Sequence, residues 1–246
     1  MKLPDNAIFF VDDVAIPHNW YTVETGVNDK LYFRLQLANG GSIMDRIITL
    51  DAGTYTPTVF KELIKNQVSA AANAVATTTA YDTSTNILSI SVANLDINFL
   101  TDKELKELTS VTWNGAAYSS SNLSSANELI ANNSLPSPVG NTASPAKYTL
   151  NLQLVRNIYL RSPNISSFTT IGCNGESSII KKIPVTSNFG DMVFNNVTSA
   201  NDFLECGKAT WKTLEFHLLD VNSNYINLHG LDISFSLILD KQVTME

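Results

Sequence analysis

The stretch that decides the fold is LEFHLLDVNSNYINLHGLD, residues 214–232. Before Asp220 its apolar residues alternate with polar ones, as in a half-buried β-strand, where successive side chains point to opposite faces. The segment YINLHG alternates again after the turn. The intervening DVNSN contains Asp and Asn, which tolerate turn backbone and hydrogen-bond to their own main chain. The pattern predicts two strands joined by a turn, with Glu215 and His217 on the solvent side.

A calcium loop is the first alternative for the same stretch. Asp220, Asn222 and Asn224 sit at alternate positions, as the first three ligands of such a loop do. The loop pattern then requires Gly at its sixth position and Glu at its twelfth, and this chain has Tyr225 and Leu231 there. We therefore interpret the stretch as a turn.

A zinc site is the second alternative, with His217, Glu215 and His229 as its ligands. These residues lack the close spacing of known zinc ligand sets. A histidine on the solvent face of a strand is the simpler interpretation of His217. The remaining histidine, His18, adjoins Trp20 and is interpreted as packing or turn structure.

Motifs for catalysis are incomplete in this sequence. GESSI, residues 175–179, begins like a nucleophile elbow but has Ile179 where the final Gly belongs. Glu104 and Glu107 are three residues apart on a predicted surface helix, which is typical of solvated charges. A triad assembled from distant Ser, His and Asp residues is left open by the sequence. We expect no catalytic, cofactor-binding or metal-binding residues, and a protein that is not an enzyme.

Composition narrows the class of protein further. The chain has 246 residues, of which 44% are hydrophobic and 16% charged, with a net charge of -7. A protein that grips nucleic acid needs clustered Lys and Arg, so this balance argues against direct nucleic-acid binding. Lys181 and Lys182 form the only basic pair, which we interpret as a solvated strand end. Two cysteines, Cys173 and Cys206, do not make a disulfide scaffold, and whether they pair is left open.

Targeting signals are not visible in the sequence. The N-terminal apolar run is short and flanked by acidic residues, unlike a signal peptide. No stretch approaches the roughly 18 apolar residues of a membrane span. We therefore expect a protein that is made inside a cell and does not span a membrane.

Strand patterns occupy both ends of the chain. Residues 1–50 and 147–246 contain about eight or nine strand-like segments, which suit a sandwich of two sheets. Residues 51–146 change character and predict an inserted α+β subdomain that includes a Ser-, Asn- and Pro-rich loop from residue 119 to 146. Two short strands are predicted around a turn at residues 84–86, and Asn114-Gly115 predicts a hairpin turn.

Two helices are predicted within the insert. The first begins near Pro57, with Thr56 as its cap. Its apolar residues fall on one face: Phe60, Leu63, Ile64 and Val68. The second follows Thr101, with Glu104 three residues later as the partner in a capping box.

Several stretches together resemble the penton, or minor capsid, proteins of virophages and Polinton-like viruses. The resemblance is carried by the order and spacing of four segments that span most of the chain. They are FFVDDVAIPHNWYTVE (9–24), LDAGTYTPTVFKELIKNQVSAA (50–71), NGESSIIKKIPVTSNFGDMVF (174–194) and LEFHLLDVNSNYINLHGLDISFSLIL (214–239).

The resemblance implies a single jelly roll formed by residues 1–50 and 147–246, with residues 51–146 as the insert. It implies a structural protein without a cofactor that forms a homopentamer at the five-fold vertex of a virion. Its partners would be its own copies and a double-jelly-roll major capsid protein. The alternative left open is a β-sandwich attachment or carbohydrate-binding module, in which Trp113 and Tyr118 would line the sugar site. A β-sandwich hydrolase is the third and weakest hypothesis.

Overall fold

The computed structural model describes most of the chain and divides it into two compact units. The described residues are 3–37, 41–108, 112–113, 116–117, 124–132, 145–165, 175, 178–197, 202–207 and 210–241. One unit comprises Met1–Trp20 with Val155–Glu246, and the other comprises Tyr21–Leu154. We call them the discontinuous unit and the central unit.

Fifteen strands, two α-helices and one 3₁₀-helix are formed by the described residues. In chain order they are β1 (Ala7–Pro17), β2 (Lys30–Leu37), β3 (Ile43–Thr49), α1 (Pro57–Ala71), β4 (Thr77–Asp82), β5 (Ile87–Val92), β6 (Leu95–Phe99), α2 (Asp102–Glu107), β7 (Thr112–Trp113), β8 (Ala116–Ala117), the 3₁₀-helix (Asn127–Ile130), β9 (Ala146–Thr149), β10 (Asn157–Arg161), β11 (Ile179–Pro184), β12 (Met192–Asn195), β13 (Leu204–Glu205), β14 (His217–Leu219) and β15 (Ser234–Lys241). The mainly-β class predicted from the sequence is confirmed.

The discontinuous unit is a sandwich of two antiparallel sheets. In the first sheet β1 pairs with β15 along one side and with β12 and β13 along the other. The second sheet has the order β11-β10-β14. Side chains from both sheets form one apolar core, with Phe9, Ile16, Ile158 and Ile183 fully buried. Burying each such side chain contributes about 1.5–3 kcal/mol, so the core holds the two sheets together.

Strand β1 contains a β-bulge. Val11 pairs with Leu237 and Val14 pairs with Phe235, so two residues lie opposite one on β15. The two residues within the bulge, Asp12 and Asp13, are both exposed, although their neighbours Val11 and Val14 are buried. The bulge therefore places two adjacent carboxylates on the outside of the first sheet.

The predicted solvated position of Lys181 is wrong. On β11 its side chain points into the sandwich and is buried, whereas Lys182 is exposed. The Lys181 ammonium donates to the carbonyl of Val11 at 2.8 Å and to that of Val197 at 3.1 Å, and lies 4.0 Å from Asp202. Buried charges need such partners, and the acceptors come from residues far away in sequence, which the local pattern does not show.

The central unit is a six-stranded antiparallel sheet covered by helix α1. The strands run in the order β3-β2-β6-β5-β4, with β9 also paired to β5. Helix α1 packs on β3, β4 and β5, and its residues Phe60, Ile64 and Val68 are fully buried in the core. The predicted helical face is thus the face that packs on the sheet.

The caps of both helices are as predicted. The Thr56 hydroxyl accepts from the backbone N–H of Val59, and Pro57 occupies the first helical turn. At α2 the Thr101 hydroxyl accepts from the Glu104 N–H, while a Glu104 carboxylate oxygen accepts from the Thr101 N–H at 2.7 Å. Each cap satisfies backbone donors that a helix start leaves free.

Part of the predicted surface loop is core. Residues 124–132 contain the 3₁₀-helix, in which Asn127 is buried beside Leu129 and Ile130. The Asn127 amide donates to the Leu100 carbonyl at 2.9 Å and to the Asp102 carboxylate at 2.7 Å. The amide is polar, and these partners are what allow it to be buried. The rest of the loop, residues 133–144, lies outside the described residues.

The division between the units differs from the predicted boundaries after residues 50 and 146. Strands β2 and β3 pair with each other and β2 pairs with β6, so both strands belong to the sheet of the central unit. After residue 145 the next two strands are divided between the units, with β9 in the central unit and β10 in the discontinuous unit. The predicted hairpin around Asn114-Gly115 has paired strands β7 and β8, while the two turn residues lie outside the described residues.

Among the described residues, none of the helices combines the length and the apolar character needed to cross a membrane.

Candidate assembly surface

The stretch that posed the choice between a turn and a metal site forms a turn closed on itself. The Asp220 carboxylate accepts from the N–H groups of Asn222 and Asn224, both at 2.8 Å, and from the Asn224 amide at 3.0 Å. Beyond it the Ile226 N–H donates to the Leu218 carbonyl at 3.0 Å. The predicted turn is confirmed, and the oxygens that a calcium ion would need serve the loop's own donors. The strand predicted after the turn is wrong, because beyond Asp220 the chain makes only an isolated bridge between Leu219 and Tyr225 before β15 begins.

The residues considered as zinc ligands have other hydrogen-bond partners. His217 Nε2 lies 2.9 Å from the Glu215 carboxylate, and Nδ1 lies 2.9 Å from the Tyr225 hydroxyl. His229 Nδ1 instead lies 2.7 Å from the Asn19 carbonyl. A carboxylate only accepts hydrogen bonds, so the Nε2 of His217 carries the hydrogen. Within the described residues, no group of three or more His, Cys, Asp or Glu side chains is placed to hold a metal ion.

The other residues singled out from the sequence are structural. His18 stacks on Trp20 with ring centroids 4.1 Å apart, and its Nδ1 lies 2.9 Å from the Ser187 carbonyl. Packing was the predicted role of His18. Glu104 serves the capping box of α2.

The two cysteines cannot be compared, because Cys173 lies outside the described residues. Cys206 is buried in the core of the discontinuous unit, and this burial raises the pKa of its thiol. A thiol in such surroundings is poorly reactive, because the thiolate is the nucleophile. Tyr118 and the side chain of Trp113, named for a sugar site, also lie outside the described part of the chain.

Apolar side chains lie on the outer side of the four-stranded sheet towards both ends of β1. Phe10 lies opposite Ile238 in the ladder, and the Phe203 ring meets the Phe10 ring edge-on at 4.8 Å. Further along β1, Phe194 and Met192 flank buried Val193 and therefore point outwards, and the Phe194 side chain is 70% exposed. We call the set the apolar outer face: Phe10, Met192, Phe194, Phe203 and Ile238.

Acidic residues lie within this face and at one end of it. Asp12 and Asp13 project from the bulge of β1, and Glu205 and Asp240 lie opposite Ile8 on its two neighbouring strands. All four are exposed. The solvated side of an antiparallel sheet is normally polar, and a large exposed apolar patch with a polar rim marks an interaction site.

Sequence reasoning missed this face because both sides of β1 and β15 are apolar. In FFV (9–11) and LIL (237–239) the inward and outward positions carry the same residue types, so the sequence alone does not separate core from surface. A usable signal was the pair Asp12-Asp13. Two adjacent charges inside an apolar strand indicate a bulge, where alternation is broken.

The fold belongs to a recognisable class. The two-sheet sandwich, made of residues from both ends of the chain and interrupted by an α+β unit, matches a penton jelly-roll fold. No protein-family model matches the chain, and no curated protein matches it.

The particular structure that it resembles is the crystal structure of the mavirus penton protein. The TM-score is 0.50 at 9% sequence identity, and the match covers 98% of this chain and 88% of that chain. At this identity the likeness concerns the fold. It confirms the predicted fold class, a single jelly roll with an inserted α+β unit, and the predicted resemblance to a penton protein.

Proposed function

We propose that this protein is a structural component of a viral capsid, the penton that occupies the five-fold vertices of an icosahedral shell. The observation that carries the proposal is the match to the mavirus penton protein over 98% of the chain. Both the discontinuous and the central unit fall within that match. A shared fold alone does not establish a shared function, so two features of this chain are added to it.

The first supporting feature is the apolar outer face. A subunit that remained single in solution would expose these five side chains to water, which favours association with another surface. A capsid subunit has neighbours that cover such a surface. A β-sandwich also has edge strands, and assembly protects them from uncontrolled pairing.

The second supporting feature is charge. The net charge of -7 suits a role built on protein contacts rather than on the genome's phosphates. In the penton that we propose, the partners of the protein are its own copies, as a homopentamer, and a double-jelly-roll major capsid protein. The protein is located in the virion and acts without catalysis or a cofactor.

We assign a different role to each of the two units. The sandwich of the discontinuous unit is the jelly roll that builds the vertex. The central unit is an insertion whose contribution is separate from the shell. In this proposal the insertion corresponds to the central unit, residues 21–154.

The native mass tests the proposal. Light scattering over a range of concentrations should find a species of five times the 26.9 kDa of one chain. A stable trimer would exclude a penton and indicate a spike or attachment protein.

Co-expression with the major capsid protein is the second test. Electron microscopy of the resulting particles should show density at the vertices, and shells made without this protein should have open vertices. Closed shells from which this protein is absent would contradict the proposal.

A further inference from the structure

The outer side of the second sheet of the sandwich has the opposite character to the apolar outer face. Tyr159 pairs with Lys182, and the next residue along β10 whose side chain points out is Arg161. Arg161 Nε donates to the Ser178 hydroxyl at 2.6 Å, which fixes the direction of the guanidinium. We call Tyr159, Arg161 and Lys182 the basic outer face.

Two carboxylates lie at the two ends of β14, next to the basic outer face. Glu215 lies 2.9 Å from His217, which pairs with Arg161 in the ladder, and Asp220 accepts hydrogen bonds within its own turn. The charged residues on the strands of this face, Arg161 and Lys182, are both cations. By contrast, the four charged residues described around the apolar outer face, which are Asp12, Asp13, Glu205 and Asp240, are all carboxylates.

The two faces lie on opposite sides of one sandwich, and this decides how copies can associate. Two apolar outer faces packed on each other would bring two sets of four carboxylates together, and like charges at an interface oppose association. Packing the apolar outer face on the basic outer face of a second copy brings carboxylates to cations. The ring of Tyr159 and the carbon stems of Arg161 and Lys182 then supply apolar area to cover the phenylalanines.

We propose that the apolar outer face of one copy binds the basic outer face of the next copy. The contact is heterologous, so each subunit uses one face for each neighbour, and repetition closes a ring or extends a chain. The inference rests on the proposed function, because a penton is a closed ring of five subunits. It goes further by naming the two surfaces that are in contact between neighbouring subunits.

An apolar substitution tests the first face. Phe194→Ser removes the most exposed phenylalanine of that face, and we expect self-association measured by sedimentation velocity to weaken roughly tenfold or more. Val59→Ser is the matched control, because Val59 is 55% exposed on helix α1 of the central unit. It should leave association within about twofold. Circular dichroism and thermal melting establish that each variant is folded.

Charge reversal tests the pairing of the two faces. Lys182→Glu should weaken association roughly tenfold at low salt, with a smaller effect at high salt because surface charges are screened. Adding Asp12→Lys and Asp13→Lys to the same chain gives the new carboxylate at position 182 two cations on the opposing face and should restore part of the lost association. Association is restored only if the two faces are in contact. If Lys182→Glu had merely destabilised the protein, the added substitutions would not restore association.

The results separate this inference from the proposed function. A wild-type chain that stays monomeric at every concentration overturns the head-to-tail contact, as does a pentamer that Phe194→Ser and Lys182→Glu leave intact. In either case incorporation into shells still supports the penton. A trimer that these substitutions disrupt would support the contact and exclude the penton.

Discussion

Replacing Lys181 by Met should destabilise the discontinuous unit strongly, and replacing its neighbour Lys182 should not. Met has a similar length and keeps the apolar stem in the core, so the change removes the ammonium without opening a large cavity. What is lost is the pair of hydrogen bonds to the carbonyls of Val11 and Val197. Those two acceptors come from the β1 bulge and from the segment after β12.

The magnitude follows from these contacts. A hydrogen bond from a charged donor contributes about 1.5–3 kcal/mol, and leaving a buried carbonyl without a partner costs about 1–3 kcal/mol. Relief from burying the ammonium offsets part of this loss. The ion pair with Asp202 adds little, because it is 4.0 Å long and Asp202 is partly exposed. We expect the free energy of unfolding to fall by about 3 kcal/mol.

Urea denaturation followed by circular dichroism measures the difference, with Lys182→Met as the matched control on the same strand. At a protein concentration low enough for the chain to be monomeric, the control should lie within about 0.5 kcal/mol of the wild type, because Lys182 is exposed. Amide hydrogen exchange should also be faster around the bulge of β1 in Lys181→Met. Equal stabilities of the two variants, or an effect of Lys181→Met below about 0.5 kcal/mol, would refute the argument that these two bonds matter.

Three further predictions follow from local contacts. Asp220→Ala removes the three hydrogen bonds that its carboxylate accepts within its turn and should lower the free energy of unfolding by about 1 kcal/mol in urea titrations. In a Cys173→Ser background, Cys206 should react with a disulfide reagent at pH 8 far more slowly in the native protein than in urea, because burial raises the pKa of its thiol. The Asp82 carboxyl should titrate by NMR near pH 2, because hydrogen bonds, first from the Ser84 hydroxyl, lower its pKa to about 2; its contribution to stability is then present above about pH 4 and lost as the pH falls towards 2.

The elements predicted best are those whose causes are local in sequence. Helix α1 needs only Thr56, Pro57 and an apolar stripe over three turns, and all of these lie within fifteen residues of one another. The capping box of α2 and the turn at Asp220 are local in the same sense. Such elements form from neighbouring residues, so the sequence pattern contains their whole explanation.

The errors occur where the cause is remote. Lys181 is buried because carbonyls of Val11 and Val197 reach it, at separations of 170 and 16 residues. Asn127 is buried because Leu100 and Asp102 supply its partners across the central unit. In both cases the local sequence is the same whether the polar side chain is exposed to water or buried with hydrogen-bond partners. Because polar residues are usually exposed, the sequence favours the exposed interpretation.

Strand assignment fails for a related reason. Strand β6 was not predicted, although Leu95, Ile97 and Phe99 alternate and are buried, because the short turn at Ala93-Asn94 joins it directly to β5. The same pairing draws residues 30–49 into the central unit, since β6 lies between β2 and β5. The alternation of apolar and polar residues shows which side of a strand is buried. It does not show which other strands pair with it, and those partners determine the sheet that it joins.

The bulge in β1 connects the stability of the sandwich with its surface. A regular strand would have placed one residue of Asp12-Asp13 inside, at the cost of a buried carboxylate. The extra residue instead sends both carboxylates outwards, where they border the apolar outer face. At the same point the carbonyl of Val11 becomes the acceptor for the Lys181 ammonium. One local irregularity therefore supplies a buried partner for a cation and gives the outer face its negative charge, which selects a basic neighbour over a second copy of the same face.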